Sequence, residues 1–298
     1  VLFGTVAVFF TYKAGQVLFP KQPIIALSGA AILALEPATF QFIWMINNDS
    51  LLLGVCAIQL YLLARALSRE QLSWREILVL VVFSIAAPLV KLPGWASLAM
   101  AVLVLMYRVV FLSRGRRILL LSLSLVVALT LVLGWFNYQN YGSVFGRYSI
   151  LDSRLSSLLH TLNVPWVVVT SVANLTLGDF TGPLASLHPR AAFVSAYNAM
   201  LLLCFIGVVI AFAWAVVQRK SSRIRGYGLL ATFVILTFVM VVLRNTVNAN
   251  ADNTTLYSTA MVFAPLRYYV PGLPPLALLI AAGLGSLLPR FSRGALGV

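Results

Sequence analysis

The sequence predicts an all-α fold, a polytopic transmembrane helical bundle of about nine spans forming one domain over residues 1–298. Three observations predict it. Of the 298 residues, 61% are hydrophobic and only 9% are charged, a balance that excludes an ordinary soluble enzyme. The apolar residues fall in runs of about twenty, the length that ~30 Å of hydrocarbon requires at ~1.5 Å per residue. The 21 Lys and Arg against 7 Asp and Glu give a formal charge of +14, and the basic residues punctuate the apolar runs instead of forming a patch. A membrane lipid environment is therefore the expected partner, and nucleic acid is not.

Taken in order, the runs that can span are 1–19, 24–42, 50–67, 76–91, 94–112, 117–136, 195–217, 227–243 and 268–288. The first opens inside the apolar stretch Val1 to Val8 with no basic leader and no cleavage site. No signal peptide is expected at this position, and the expectation is a chain truncated at its N-terminus. The basic segments 13–22, 65–76, 108–117, 218–225 and the tail after 289 fall at alternate connections. Of the 21 Lys and Arg, only Lys91, Arg147, Arg154, Arg190, Arg244 and Arg267 lie at the other connections, leaving 15 on one side. The positive-inside rule makes that side cytoplasmic, with the C-terminus there and the opposite face periplasmic or extracellular. A bacterial inner (plasma) membrane is the expected location.

Two outer segments, about 137–194 and 244–267, are too long for simple connectors, and long structured loops usually carry function. Within the first, Val164-Pro165-Trp166-Val167-Val168-Val169 is apolar but reaches Asp179 too soon to span, which suggests an interfacial or re-entrant piece.

Ionisable groups within or beside hydrocarbon are costly, so each is a functional candidate. Glu36, followed by Pro37, lies about six residues from the outer end of its span. It reads either as lining a water-filled cavity opened by the proline kink or as a protonated carboxyl bonded to a neighbouring helix. Asn48 and Asp49 start the third span at the outer mouth, where capping of orphan backbone donors and a role in a site both account for them. Lys91 sits in the break Pro88-Leu89-Val90-Lys91-Leu92-Pro93-Gly94. As a compact point charge against the positive-inside bias it suits a phosphate, whereas the simpler reading is a snorkelling interfacial lysine. Arg267, followed by Tyr268 and Tyr269, reads either as a bidentate phosphate ligand or as part of an aromatic belt. Asn140, Tyr141 and Arg147 in the first long loop are able to hold a sugar or an anionic head group. Cys56 and Cys204 both lie in apolar runs, and no tight metal-ligand spacing is visible among His160, His188, Asp152 and Asp179. Neither a metal nor another cofactor is expected. There is no Walker loop, dinucleotide fingerprint or serine nucleophile elbow.

Several separated pieces together resemble the integral-membrane glycosyltransferases of the C fold (GT-C), which include protein mannosyltransferases and aminoarabinose transferases. Glu36-Pro37-Ala38-Thr39-Phe40 followed by Asn47-Asn48-Asp49-Ser50-Leu51 is similar to that family's early-helix motif. Lys91-Leu92-Pro93-Gly94, then Asn140-Tyr141-Gly142-Ser143-Val144-Phe145-Gly146, then Arg267-Tyr268-Tyr269-Val270-Pro271-Gly272-Leu273-Pro274-Pro275-Leu276-Ala277-Leu278 follow in the family's order. The resemblance implies a polyprenyl-phosphate sugar as donor, and a glycan, lipid or protein as acceptor at the outer face. It implies that Lys91, Arg267 and Tyr268 hold the donor phosphate, that Glu36, Asn48 and Asp49 shape the site, and that Asn140, Tyr141 and Arg147 touch acceptor or sugar. It also implies a catalytic acid on a loop upstream of Val1, so no catalytic residue is assigned. The rival expectations are a transporter or flippase of lipid-linked sugars and an inactive membrane scaffold.

Overall fold

In the computed structural model, residues 2–35, 48–111, 116–141, 191–218, 221–251 and 269–287 are described, and all regular structure among them is helical. The helices are α1 (Leu2–Leu18), α2 (Pro23–Leu35), α3 (Asn48–Ser68), α4 (Trp74–Val90), α5 (Gly94–Phe111), α6 (Arg116–Tyr141), α7 (Ala191–Val217), α8 (Ser221–Ala251) and α9 (Leu273–Leu287). A 3-10 turn, Val270–Gly272, leads into α9. Where water is absent the backbone has to satisfy its own hydrogen bonds, and among single segments only a helix does so.

The breaks between helices have local causes. Ser73 caps α4 through a reciprocal box: its hydroxyl accepts from the Glu76 amide at 3.3 Å, and the Glu76 carboxylate accepts from the Ser73 amide at 3.0 Å. At the other end Pro88 removes a backbone donor, and α4 stops within a turn. Lys91 is then extended at φ −165° and ψ 153°, its N–H donating to the Ala87 carbonyl. The Gly94 N–H donates back to the Lys91 carbonyl at 2.9 Å. A Cβ on Gly94 would collide with the Ala87 carbonyl, so glycine is what lets α5 start against the end of α4.

Contacts fix the direction of each helix. Gly54 of α3 faces Phe3, and the Tyr61 ring meets that of Phe10 at 5.6 Å, so α1 and α3 run parallel. Gly15 faces Ala26, which sets α2 antiparallel to α1, and Leu18 lies by Gly226 at the start of α8. Phe19 meets Tyr227 at 5.5 Å, while further up α8 Phe238 meets Tyr269 at 6.4 Å. These pairings gather Lys13, Lys21, Arg65, Arg69, Arg75, Arg108 and Arg225 towards one end of the bundle. The start of α3, the α4–α5 break and the 3-10 turn lie at the opposite end. Among the described residues, the basic side chains of these segments thus share one end of the helices.

Five stretches are long and apolar enough to cross a membrane: Asn48–Ser68, Gly94–Phe111, Arg116–Asn140, Arg223–Met240 and Val270–Leu287. Leu2–Leu18, Pro23–Leu35 and Leu203–Val217 are apolar but shorter. The expectation of about nine spans is therefore met by five among the described residues. One reason is length: the 13 residues of α2 rise only about 20 Å, and the expected span 24–42 continues beyond them. Another is that α4 begins with the polar turn Trp74-Arg75-Glu76 and contains Pro88. The expected loop limits shift as well. Residues 137–141 extend α6, 191–194 belong to α7 and 244–251 extend α8. The rest of both long segments, including 164–169, lies outside the described residues.

The largest apolar cluster fills the half of the bundle nearer the basic end, with Leu60, Leu63, Leu80, Leu105, Leu230, Phe233 and Leu278 all sealed from solvent. A second cluster, with Leu33, Leu52, Leu53, Ala87, Val270 and Leu273, lies under the opposite end. That second layer is the floor on which the candidate site stands.

Candidate functional site at the α3 start

Asp49 lies in the first turn of α3, where the positive end of the helix dipole favours a carboxylate. Its side chain is only 3% exposed, because α3 is packed on α1, α4 and the 3-10 turn. Lys91, 42 residues on, is the extended residue that ends α4, and its Nζ donates to Asp49 Oδ1. The lysine side chain is 17% exposed. The two candidates that the sequence offered separately therefore meet as a largely buried ion pair. The Lys91 ammonium is thus held by a carboxylate of the protein at the helix break. Capping alone does not describe Asp49 either, since its carboxylate ties the start of α3 to the α4–α5 break. Such pairs are costly to form and costlier to break singly, since removing one partner strands a buried charge at about 3–5 kcal/mol.

Asn48, beside the pair, is exposed. Asn140 is not in a loop as expected but in the last turn of α6, exposed, with its amide donating to the Phe136 carbonyl at 2.8 Å. The backbone of Tyr141 ends the same helix. Glu36, Arg147, Arg267 and Tyr268 lie outside the described residues, as does the Tyr141 side chain. The described chain resumes at Tyr269, buried against Phe238, and the following 3-10 turn packs on α3.

Three polar groupings escaped the sequence reading. Gln59 of α3, fully buried, donates to Ser84 Oγ of α4 at 3.2 Å and to the Ser97 carbonyl of α5 at 2.8 Å, and accepts from Ser97 Oγ. Its amide is thereby used on three sides, which makes it a clamp between helices. Gln59 is the one amide in the run 50–67, a signal the sequence did carry. Arg108, 1% exposed, donates to the carbonyls of Ala66, Arg69 and Glu70, and Arg225 donates to the Leu67 carbonyl at 2.9 Å. Two arginines from α5 and α8 thus close the C-terminus of α3, where orphan carbonyls and the dipole both favour cations. At the same end Glu76 accepts from Arg65 and, at 2.6 Å, from Arg69. The bundle end with many cations spends several of them on its own backbone and carboxylate, while the other end has a single described ion pair.

Comparison with known protein families, with curated proteins and with solved structures finds no match.

Proposed function

We propose that the chain is a membrane glycosyltransferase that moves a sugar from a polyprenyl-phosphate donor to an acceptor at the outer membrane face. The observation that supports this reading is the Asp49–Lys91 pair at the bundle end opposite Arg65, Arg108 and Arg225. With the basic end cytoplasmic, this cation stands at the outer face, against the bias that governs the others. Lys91 then binds the donor phosphate together with Arg267 and Tyr268. Glu36, Asn48 and Asp49 shape the pocket, and Asn140, Tyr141 and Arg147 contact acceptor or sugar.

The chemistry is an inverting transfer. A carboxylate takes the proton of the acceptor hydroxyl, the oxygen attacks the anomeric carbon, and the bond from that carbon to the lipid phosphate oxygen breaks. The departing phosphate gains negative charge, which fixed cations stabilise in a site that excludes water. The base is not assigned to a residue of this chain.

One observation favours a second reading. A buried ion pair between helices also serves a scaffold that binds no sugar, as the Gln59 clamp does further down α3. Lys91→Ala and Arg267→Ala separate the two. In vesicles supplied with a polyprenyl-phosphate sugar, transfer by the inserted protein is expected to fall at least about a hundredfold, the scale of losing one transition-state charge contact. Unchanged transfer would favour the scaffold.

A further inference from the structure

Asp49 poses a problem for any anion that seeks Lys91. Its carboxylate already holds the ammonium, and at 3% exposure it is too enclosed for solvent to take over that role. A phosphate entering from the exposed side of Lys91 meets an ammonium that already has a carboxylate partner. It has to share or displace a carboxylate that the α3 N-terminus independently stabilises. The same competition acts on departure: as the lipid phosphate leaves, the carboxylate is in place to take the ammonium back. No solvent reorganisation is needed, and no buried lysine is left bare.

We propose that Asp49 is the residue that makes phosphate binding at Lys91 reversible, an internal carboxylate that competes with the lipid phosphate and speeds its release. This rests on reading Lys91 as a phosphate ligand. A transferase of this kind is left after each turnover with polyprenyl phosphate, a product bearing the same anion as the donor. Two opposite charges in low dielectric attract strongly, so an unopposed lysine would retain that product and stall the site. A carboxylate at the lysine weakens donor and product alike, and the binding energy it removes is energy that would only have slowed release. Asp49 acts through Lys91, so it is a positioning residue. The ion pair is then maintained at a cost in affinity, which explains why a cation suited to phosphate is found with its own counter-ion.

The test is binding of a short-chain polyprenyl phosphate to the full chain in lipid nanodiscs, with the neutral polyprenol as control. Asp49→Asn is expected to tighten phosphate binding about tenfold, chiefly through slower dissociation, while leaving polyprenol binding unchanged. Asp49→Glu, which restores a carboxylate, is expected to return both affinity and dissociation rate towards those of the parent. Asp49→Ser, neutral and compatible with a helix start, gives the same reading as Asp49→Asn and serves if the asparagine variant fails to fold. Weaker or unchanged phosphate binding in whichever neutral variant folds would overturn the proposal. Lys91→Gln tests the underlying reading separately: if it binds the phosphate as well as the parent does, Lys91 is no phosphate ligand, whatever Asp49 does.

Discussion

Individual polar residues in this bundle decide more than their number suggests, because each is set in apolar surroundings. Gln59 illustrates the cost. Gln59→Leu removes an amide that serves two serines and leaves the Ser97 carbonyl and hydroxyl without it. A loss of about 1–3 kcal/mol is expected, read as a lower unfolding midpoint in detergent, with Gln59→Glu no better because it adds a charge. Arg108→Leu is expected to cost about 2–4 kcal/mol, since three carbonyls at the end of α3 lose a charged donor, and Arg108→Lys to recover only part of it. At this scale the sequence was partly legible. Lys91 and Asp49 each stood out as polar groups at a helix boundary, yet nothing in their positions announced that they face each other, since 42 residues separate them. Ser84 and Ser97 gave no signal at all, because serine is ordinary in a helix and acquires meaning only from the partner across the interface.

Helices are held at their spacing by small residues. At Gly15 an added Cβ would lie 2.7 Å from the Ala26 Cα and 2.9 Å from Leu278 Cδ2, so α1, α2 and α9 meet over that glycine. Gly15→Val is expected to force α1 from α2 and to destabilise by about 1–3 kcal/mol, the scale of overpacking. Thermal unfolding of the purified protein measures it, with Gly228→Ala, which meets nothing within 4 Å, as the neutral comparison. Helix existence was legible from apolar runs, and the starts of α3, α5, α6 and α9 fall within a few residues of expectation. Lengths were less so. The amide-rich stretch after 243 reads as a soluble loop by composition, yet Ser221–Ala251 is one continuous helix. Polarity marks where a helix leaves hydrocarbon and says nothing of where its hydrogen bonds stop. The same holds for α6, whose Asn137-Tyr138-Gln139-Asn140 turn is helical despite its composition.

At the scale of the whole bundle, the described charges are polarised from end to end. One end is rich in Lys and Arg, with Glu70 and Glu76 as its only described acids, and the other carries Asp49 and Lys91. Basic residues at alternate connections were legible in the sequence, and those described gather at one end of the helices. The proposed chemistry depends on the same asymmetry, since a lipid-borne donor presented at the outer leaflet reaches only groups exposed there. Labelling of single engineered thiols in intact cells tests this most directly, with Cys56 and Cys204 first replaced by Ser. A membrane-impermeant maleimide is expected to label Asn48→Cys, next to the ion pair, from outside, and to reach Arg75→Cys only after the membrane is opened. Labelling of Arg75→Cys in intact cells, with Asn48→Cys silent until permeabilisation, would contradict the account and put Lys91 on the cytoplasmic side.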